Sequence, residues 1–169
     1  MTEKSSFNSL INDEIKTVEI KTVEFRCKRK VDWNSVESYL KRYIGNQYIV
    51  EETGDIIYIS SDFPDEYSHS EYSSKIYGTL AKAKANASQA IPELIKNARY
   101  ISFQSNLKEK HNRDASNGWY RFMIRFTLPI FDDKGNIIGN NCFRGRMVVR
   151  CDGDNKKYLY DIVDINKET

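Results

Sequence analysis

The stretch WYRFMIRFTLPIF, Trp119 to Phe131, sets apolar side chains against arginines with a period of two. Successive residues of a strand point to opposite faces. One face therefore holds Tyr120, Phe122, Ile124, Phe126 and Leu128; the other holds Trp119, Arg121, Met123, Arg125 and Thr127. NNCFRGRMVVRC, Asn140 to Cys151, repeats the division. Phe143, Gly145, Met147, Val149 and Cys151 share one side, and Cys142, Arg144, Arg146, Val148 and Arg150 the other. DDKGN (Asp132–Asn136) supplies the turn between the two runs. DGDN (Asp152–Asn155) supplies the next one, into KYLYDIVDI (Lys157–Ile165). Gly and Asn at such positions accept the backbone angles that tight turns require.

Upstream the period changes. DWNSVESYLKRYIGN predicts a helix capped by Asp32 or Asn34, with Val36, Tyr39, Leu40 and Tyr43 on one face and Gly45 as the stop. QYIVEETGDIIYIS predicts two short strands around Thr53-Gly54-Asp55, and SDFPDEYSHSEY a loop. From Ser73 the chain reads as helix, with Ile76, Leu80, Ala83 and Ala87 in line. A second helix follows in IPELIKNA, with Pro92 in its first turn and Leu94, Ile95 and Ala98 inward. YISFQ (Tyr100–Gln104) is strand-like, and a polar loop runs from Ser105 to Gly118. A tandem IKTVE, at Ile15–Glu19 and Ile20–Glu24, is too short for a repeat architecture and favours a strand through Phe25. The expected fold class is α+β: N-terminal helices packed on one face of a C-terminal antiparallel meander of about four strands. The expected division is a flexible tail over 1–20, a strand-helix-hairpin extension over 21–60 and an α+β domain over 61–169.

A chain of 169 residues, 40% hydrophobic and 30% charged, is long enough to bury a core. The net charge of +2 does not by itself announce a nucleic-acid partner, so only local clustering can. Cys27, Cys142 and Cys151 form no CxxC pair. Cys142 and Cys151 could meet across a hairpin, but reduced thiols are the expectation. The N-terminus carries no apolar signal segment, and no run approaches a membrane span. Cytoplasm is therefore the expected location. P-loop, GxGxxG, GxSxG and HExxH motifs are absent, and no cofactor or metal is expected.

If both apolar sets face the helices, Arg121, Arg125, Arg144, Arg146 and Arg150 crowd the opposite face. Like charges side by side in a sheet repel, so such a cluster needs anions. Asp161 and Glu168 are the acids placed to offset it in part. The same arginines also suit a solvated outer face. Phosphate is the favoured partner, because guanidinium grips it through two parallel hydrogen bonds. Trp119 adds a stacking plane for a base, with Tyr120 beside it. His111 lies at the mouth of this strand among Lys108, Lys110 and Arg113, whose charges would keep it neutral and able to act as a base. A metal-independent ribonuclease would use His111 as base or acid, Tyr120 or Tyr160 as hydroxyl partner, and the arginines as phosphate clamp. A surface histidine in a basic loop fits equally. His69, near Asp65, Glu66 and Glu71, matches no strong metal motif and reads as a loop or capping residue.

The segments VEETGDIIYIS (Val50–Ser60), AKAKANASQAIPELIKNA (Ala81–Ala98), KHNRDASNGWYRF (Lys110–Phe122), FRGRMVVR (Phe143–Arg150) and YLYDIVDINKET (Tyr158–Thr169) resemble the third type of polyvalent-protein-associated domain of phages and mobile elements. Such domains are grouped with the barnase, EndoU, RelE and colicin-like ribonucleases. The resemblance implies helices followed by a four-stranded antiparallel sheet whose open face cleaves RNA. It carries over to His111, Trp119, Tyr120, Arg121, Arg144, Arg146 and Tyr160. The implied protein is a mobile-element endoribonuclease in a bacterial host: a toxin or counter-defence factor, such as an anti-CRISPR acting on a host defence protein–RNA complex. The alternative is a non-catalytic module that binds RNA or protein with the same face.

Overall fold

A computed structural model describes residues 15–26, 29–105 and 117–168. Among the described residues seven strands form one sheet: β1 (Val18–Glu19), β2 (Gln47–Ile49), β3 (Ile56–Tyr58), β4 (Arg99–Gln104), β5 (Gly118–Phe131), β6 (Ile137–Cys151) and β7 (Lys157–Glu168). The helices are α1 (Trp33–Leu40), α2 (Phe63–Ser68), α3 (Glu71–Lys75), α4 (Gly78–Ala87) and α5 (Ile91–Lys96).

The order along the sheet is β1-β5-β6-β7-β3-β2, with β4 also on β5. β4 to β7 pair antiparallel in succession. They are not the whole sheet, however. β1 adds parallel to β5 at Phe126 and Thr127, and β3 adds parallel to β7 at Lys157 and Tyr158. The architecture is thus a mixed sheet, not the expected antiparallel meander behind N-terminal helices. Four of the five helices lie mid-chain, between β3 and β4. The physical reason is edge pairing. A long exposed edge offers unpaired N–H and C=O groups, and short upstream strands cover it here. Alternation in sequence gives the period of a strand but not its partner.

Local chemistry explains most elements. Asp32 caps α1, accepting from the Asn34 and Ser35 amides at 3.2 and 3.4 Å. SDFPDEYSHSEY, expected as a loop, instead holds α2 and α3. Pro64 sits in the first turn of α2, and Ser70 Oγ caps α3 by accepting from the Ser73 amide at 3.1 Å. The helix expected to start near Ser73 is broken. Ile76 is extended, and Gly78, at φ +63°, restarts the chain as α4. Cys142 and Cys151 stand at separate positions on the one strand β6, not across a hairpin from each other. Both are free thiols, and Cys27 lies outside the described residues. Among the described residues no helix is long and apolar enough to cross a membrane.

The core lies between the helices and the face of the sheet that carries Phe122, Ile124, Phe126, Phe143, Met147 and Val149. Into this core α4 inserts a lysine. Lys84 is fully buried and donates from Nζ to Asp161 Oδ1 at 2.5 Å and to Ser73 Oγ at 2.6 Å. Its ammonium lies 4.6 Å from the Tyr67 ring centroid, 5.1 Å from Tyr72 and 5.9 Å from Trp33. Burial pushes the lysine pKa down and the Asp161 pKa up, each only partly offset by the partner's charge.

A buried pair of this kind is costly to form and more costly to break. Lys84→Met alone should therefore destabilise the fold by about 3–5 kcal/mol, because it strands a buried carboxylate. Lys84→Met with Asp161→Leu should recover most of that loss in urea denaturation. A double variant no more stable than Lys84→Met would refute the reading.

Candidate nucleic-acid interface

The face opposite the core carries the arginines. Cross-strand pairing sets Trp119 beside Arg150, Arg121 beside Val148, Met123 beside Arg146, Arg125 beside Arg144 and Thr127 beside Cys142. All five arginines thus share one side of β5 and β6. The most repulsive contact, Arg125 beside Arg144, is resolved by one carboxylate. Glu168, near the end of β7, accepts from Arg125 Nε at 3.0 Å and Nη2 at 2.6 Å through Oε2, and from Arg144 Nε at 2.8 Å through Oε1. Arg125 also donates to Thr17 Oγ1 at 3.2 Å, which ties in the N-terminal segment. The two guanidinium groups hold the Glu168 carboxyl below the usual glutamate range. That excludes it as a proton acceptor near neutrality.

The remaining arginines differ in availability. Arg146 is exposed and has Asp164 at 3.9 Å, a weak surface pair. Arg121 is half-buried and donates to Gln104 Oε1 at 3.3 Å. Arg150 is buried; it donates to Ser60 Oγ at 3.2 Å and lies 4.7 Å over the Tyr158 ring. Arg150 therefore braces β6 rather than meeting an external anion.

Tyr160 follows the inward-facing Leu159 and so alternates onto this face, just ahead of a bulge in β7. Val148 pairs with Asp161 and Val149 with Leu159, leaving Tyr160 as the extra residue. Its ring packs edge-on against Trp119 at 5.0 Å. The neighbouring Asp161 reaches Lys84 on the helix side, so it does not offset the arginines as expected. Tyr120 is also on the helix side, 4.8 Å from the Phe103 ring centroid. The structure thus brings together Trp119, Tyr160, Arg121, Arg125, Arg144 and Arg146, turns Tyr120 to the core side, and buries Arg150 on the same face against Ser60 and Tyr158. Lys108, Lys110 and His111 lie outside the described residues.

The sequence reading missed Asp164 and Lys84. Asp164 sits at φ +52° in a second bulge of β7, where Arg144 pairs with Asn166 and Arg146 with Val163. An aspartate tolerates this conformation, but its spacing within DIVDI does not announce it. His69 ends α2 and meets Glu37 of α1, Nε2 to Oε1 at 2.8 Å. Asp65 completes a small group with them, and Glu66 and Glu71 are not part of it.

Comparison of the chain with protein-family models, curated proteins and solved structures gives no match. The interface is therefore argued from its own geometry.

The Glu168 strap has a pH signature. A carboxyl whose folded pKa is lowered contributes stability above its unfolded value and loses it as pH falls through the folded one. The stability gap between wild type and Glu168→Gln should be constant above about pH 4.5, the ordinary glutamate value. It should shrink steadily below that. Denaturation midpoints across pH 2–7 check this, and a gap independent of pH would contradict it.

Proposed function

We propose that the protein is an RNA-binding module that grips phosphates with the outer face of its sheet. The observation that carries the reading is the clustering of Arg121, Arg125, Arg144 and Arg146 on that face beside the Trp119–Tyr160 pair. Glu168 and Asp164 offset only part of this charge. Arg125 and Arg144, fixed by Glu168, form a rigid base. Arg121 and Arg146, held by a neutral amide and a weak surface contact, are the groups free to exchange partners for phosphate. Stacking of a base on an aromatic ring suits single-stranded RNA, whose bases are unpaired.

Binding without chemistry is preferred over cleavage for a stated reason. Among the described residues the face carries no histidine, Glu168 is clamped between two guanidinium groups, and Tyr120 faces the core. Cleavage would rest on His111, which lies outside the described residues.

The test uses a labelled single-stranded RNA in EDTA, followed by fluorescence anisotropy and by gel. Affinity should fall linearly with the logarithm of salt concentration. Arg121→Glu and Arg146→Glu should each weaken it by roughly tenfold or more and lower the salt slope by about one. The RNA should remain intact, and His111→Ala should bind as the wild type does. Unchanged binding in both charge reversals would overturn the interface. Cleavage that disappears in His111→Ala would replace the binding module with a metal-independent endoribonuclease.

A further inference from the structure

A second basic concavity lies on the helix side of the sheet. It is a cleft of about 850 Å³, bounded by residues 23–26 and 29–33, the α3–α4 junction and the Leu128–Phe131 end of β5. That volume falls within the ~300–1,000 Å³ usual for small-molecule sites. Five cationic residues line it: Arg26, Arg29, Lys30, Lys75 and Lys82. No aspartate or glutamate is among its described lining residues. For a chain with a net charge of only +2, such segregation is a local choice of the fold.

The cations are barely neutralised. Lys75 meets Glu71 at 2.8 Å, but both side chains are more than two-thirds exposed, so the pair contributes little. Arg29, Lys30 and Lys82 make no ion pair among the described residues. Arg26 donates to the Val23 carbonyl at 3.1 Å and lies flat over Phe131, 4.7 Å from the ring centroid.

The rest of the wall is aromatic and apolar. Trp33 and Phe131 line it half-buried, and Tyr77 stands 86% exposed at its rim. The hydroxyls of Ser73, Ser74 and Thr79 add polar contacts. At the junction, Gly78 has φ +63°, and an added Cβ there would meet nothing within 4 Å, so the backbone beside the cleft is open.

A lining that joins several unpaired cations to aromatic faces suits a ligand with a planar ring at one end and several negative charges at the other. We infer that this cleft is a binding site for a nucleoside polyphosphate, its phosphates on Lys75, Lys82 and Arg29 and its base against Tyr77 and Trp33. The site is distinct from the arginine face. The two lie on opposite sides of the sheet, and their tests separate cleanly.

The experiment is calorimetric titration of the full chain with ATP, GTP and inorganic tripolyphosphate, in EDTA at moderate salt. Saturable one-site binding of at least one nucleotide is expected, tighter than that of tripolyphosphate. Lys82→Glu and Arg29→Glu, both at exposed positions, should each weaken nucleotide binding by roughly tenfold or more. Tyr77→Ala should weaken nucleotide and leave tripolyphosphate unchanged. Arg121→Glu should leave the nucleotide titration unchanged, and Lys82→Glu should leave RNA binding unchanged. Absence of nucleotide binding overturns the inference, as does binding indifferent to both charge reversals. Equal affinity for tripolyphosphate and nucleotide, unmoved by Tyr77→Ala, overturns the assignment of the ligand. A failure of RNA binding with nucleotide binding intact would strike the interface alone.

Discussion

One buried ion pair organises the helix side of this molecule. Lys84 and Asp161 are 0% and 3% exposed at their side chains and meet at 2.5 Å. Taking two charges out of water costs several kcal/mol for each ion, so their surroundings must answer every remaining donor and acceptor. They do so with parts of several elements. α3 brings Ser73, whose hydroxyl accepts from the lysine and donates to the Tyr67 carbonyl at 2.7 Å. α2 brings the Tyr67 ring, and its hydroxyl donates to the backbone carbonyl of Lys84 itself at 2.5 Å. α1 brings Trp33, and Tyr72 closes the box while its hydroxyl accepts from the Ile165 amide at 2.9 Å. Ile162 donates its amide to Asp161 at 2.8 Å. Four helices and β7 are thus tied to one charge. Such a pair adds little net stability over an apolar core, but it penalises any arrangement that separates its members. That suits the specification of one docking of short helices, each too brief to be stable alone.

The same strand also divides the molecule's chemistry. At the first bulge of β7, Tyr160 turns to Trp119 on the outer face while Asp161 reaches Lys84 on the inner one. Asp161 is thereby committed to Lys84, and Glu168 supplies a carboxylate to the arginine side at the far end. The outer face is consequently basic near Trp119 and Tyr160 and neutralised near Thr17 and Cys142. A ligand carrying negative charge is directed to one end of the face rather than spread across it.

What was legible in the sequence follows from how local each determinant is. Alternation in WYRFMIRFTL and FRGRMVVR is a property of each strand alone, and the arginines do share the face that it indicates. The Asp32 cap and the glycine at the end of the first helix are equally local. The sheet's true order was not legible, because β1 has two residues and β3 has three. Runs so short carry no period; they are strands only because long neighbours offer them an edge. Lys84 was hidden for a related reason. In AKAKANA, Lys82 and Lys84 look alike, and only the long-range placement of Asp161 separates the exposed one from the buried one. The bulges of β7 have no simple composition signal either, so the inward turn of both Asp161 and Ile162 could not be read by counting.

The two basic surfaces act on different scales from the net charge. At +2 overall, the chain offers a distant anion little attraction. Both surfaces work only within a screening length, about 8 Å at physiological ionic strength. The outer arginines and the cleft cations point away from each other across the sheet and its core, so neither group adds much to the field at the other. Their contacts also differ in kind. The less neutralised guanidinium groups, Arg121 and Arg146, sit on adjacent strands beside the Trp119–Tyr160 pair and suit phosphates spaced along a chain. Lysines on separate elements around a concavity suit a compact cluster of charge. Selection between a chain of single phosphates and a short run of adjacent ones then follows from shape, with both surfaces built from ordinary basic side chains.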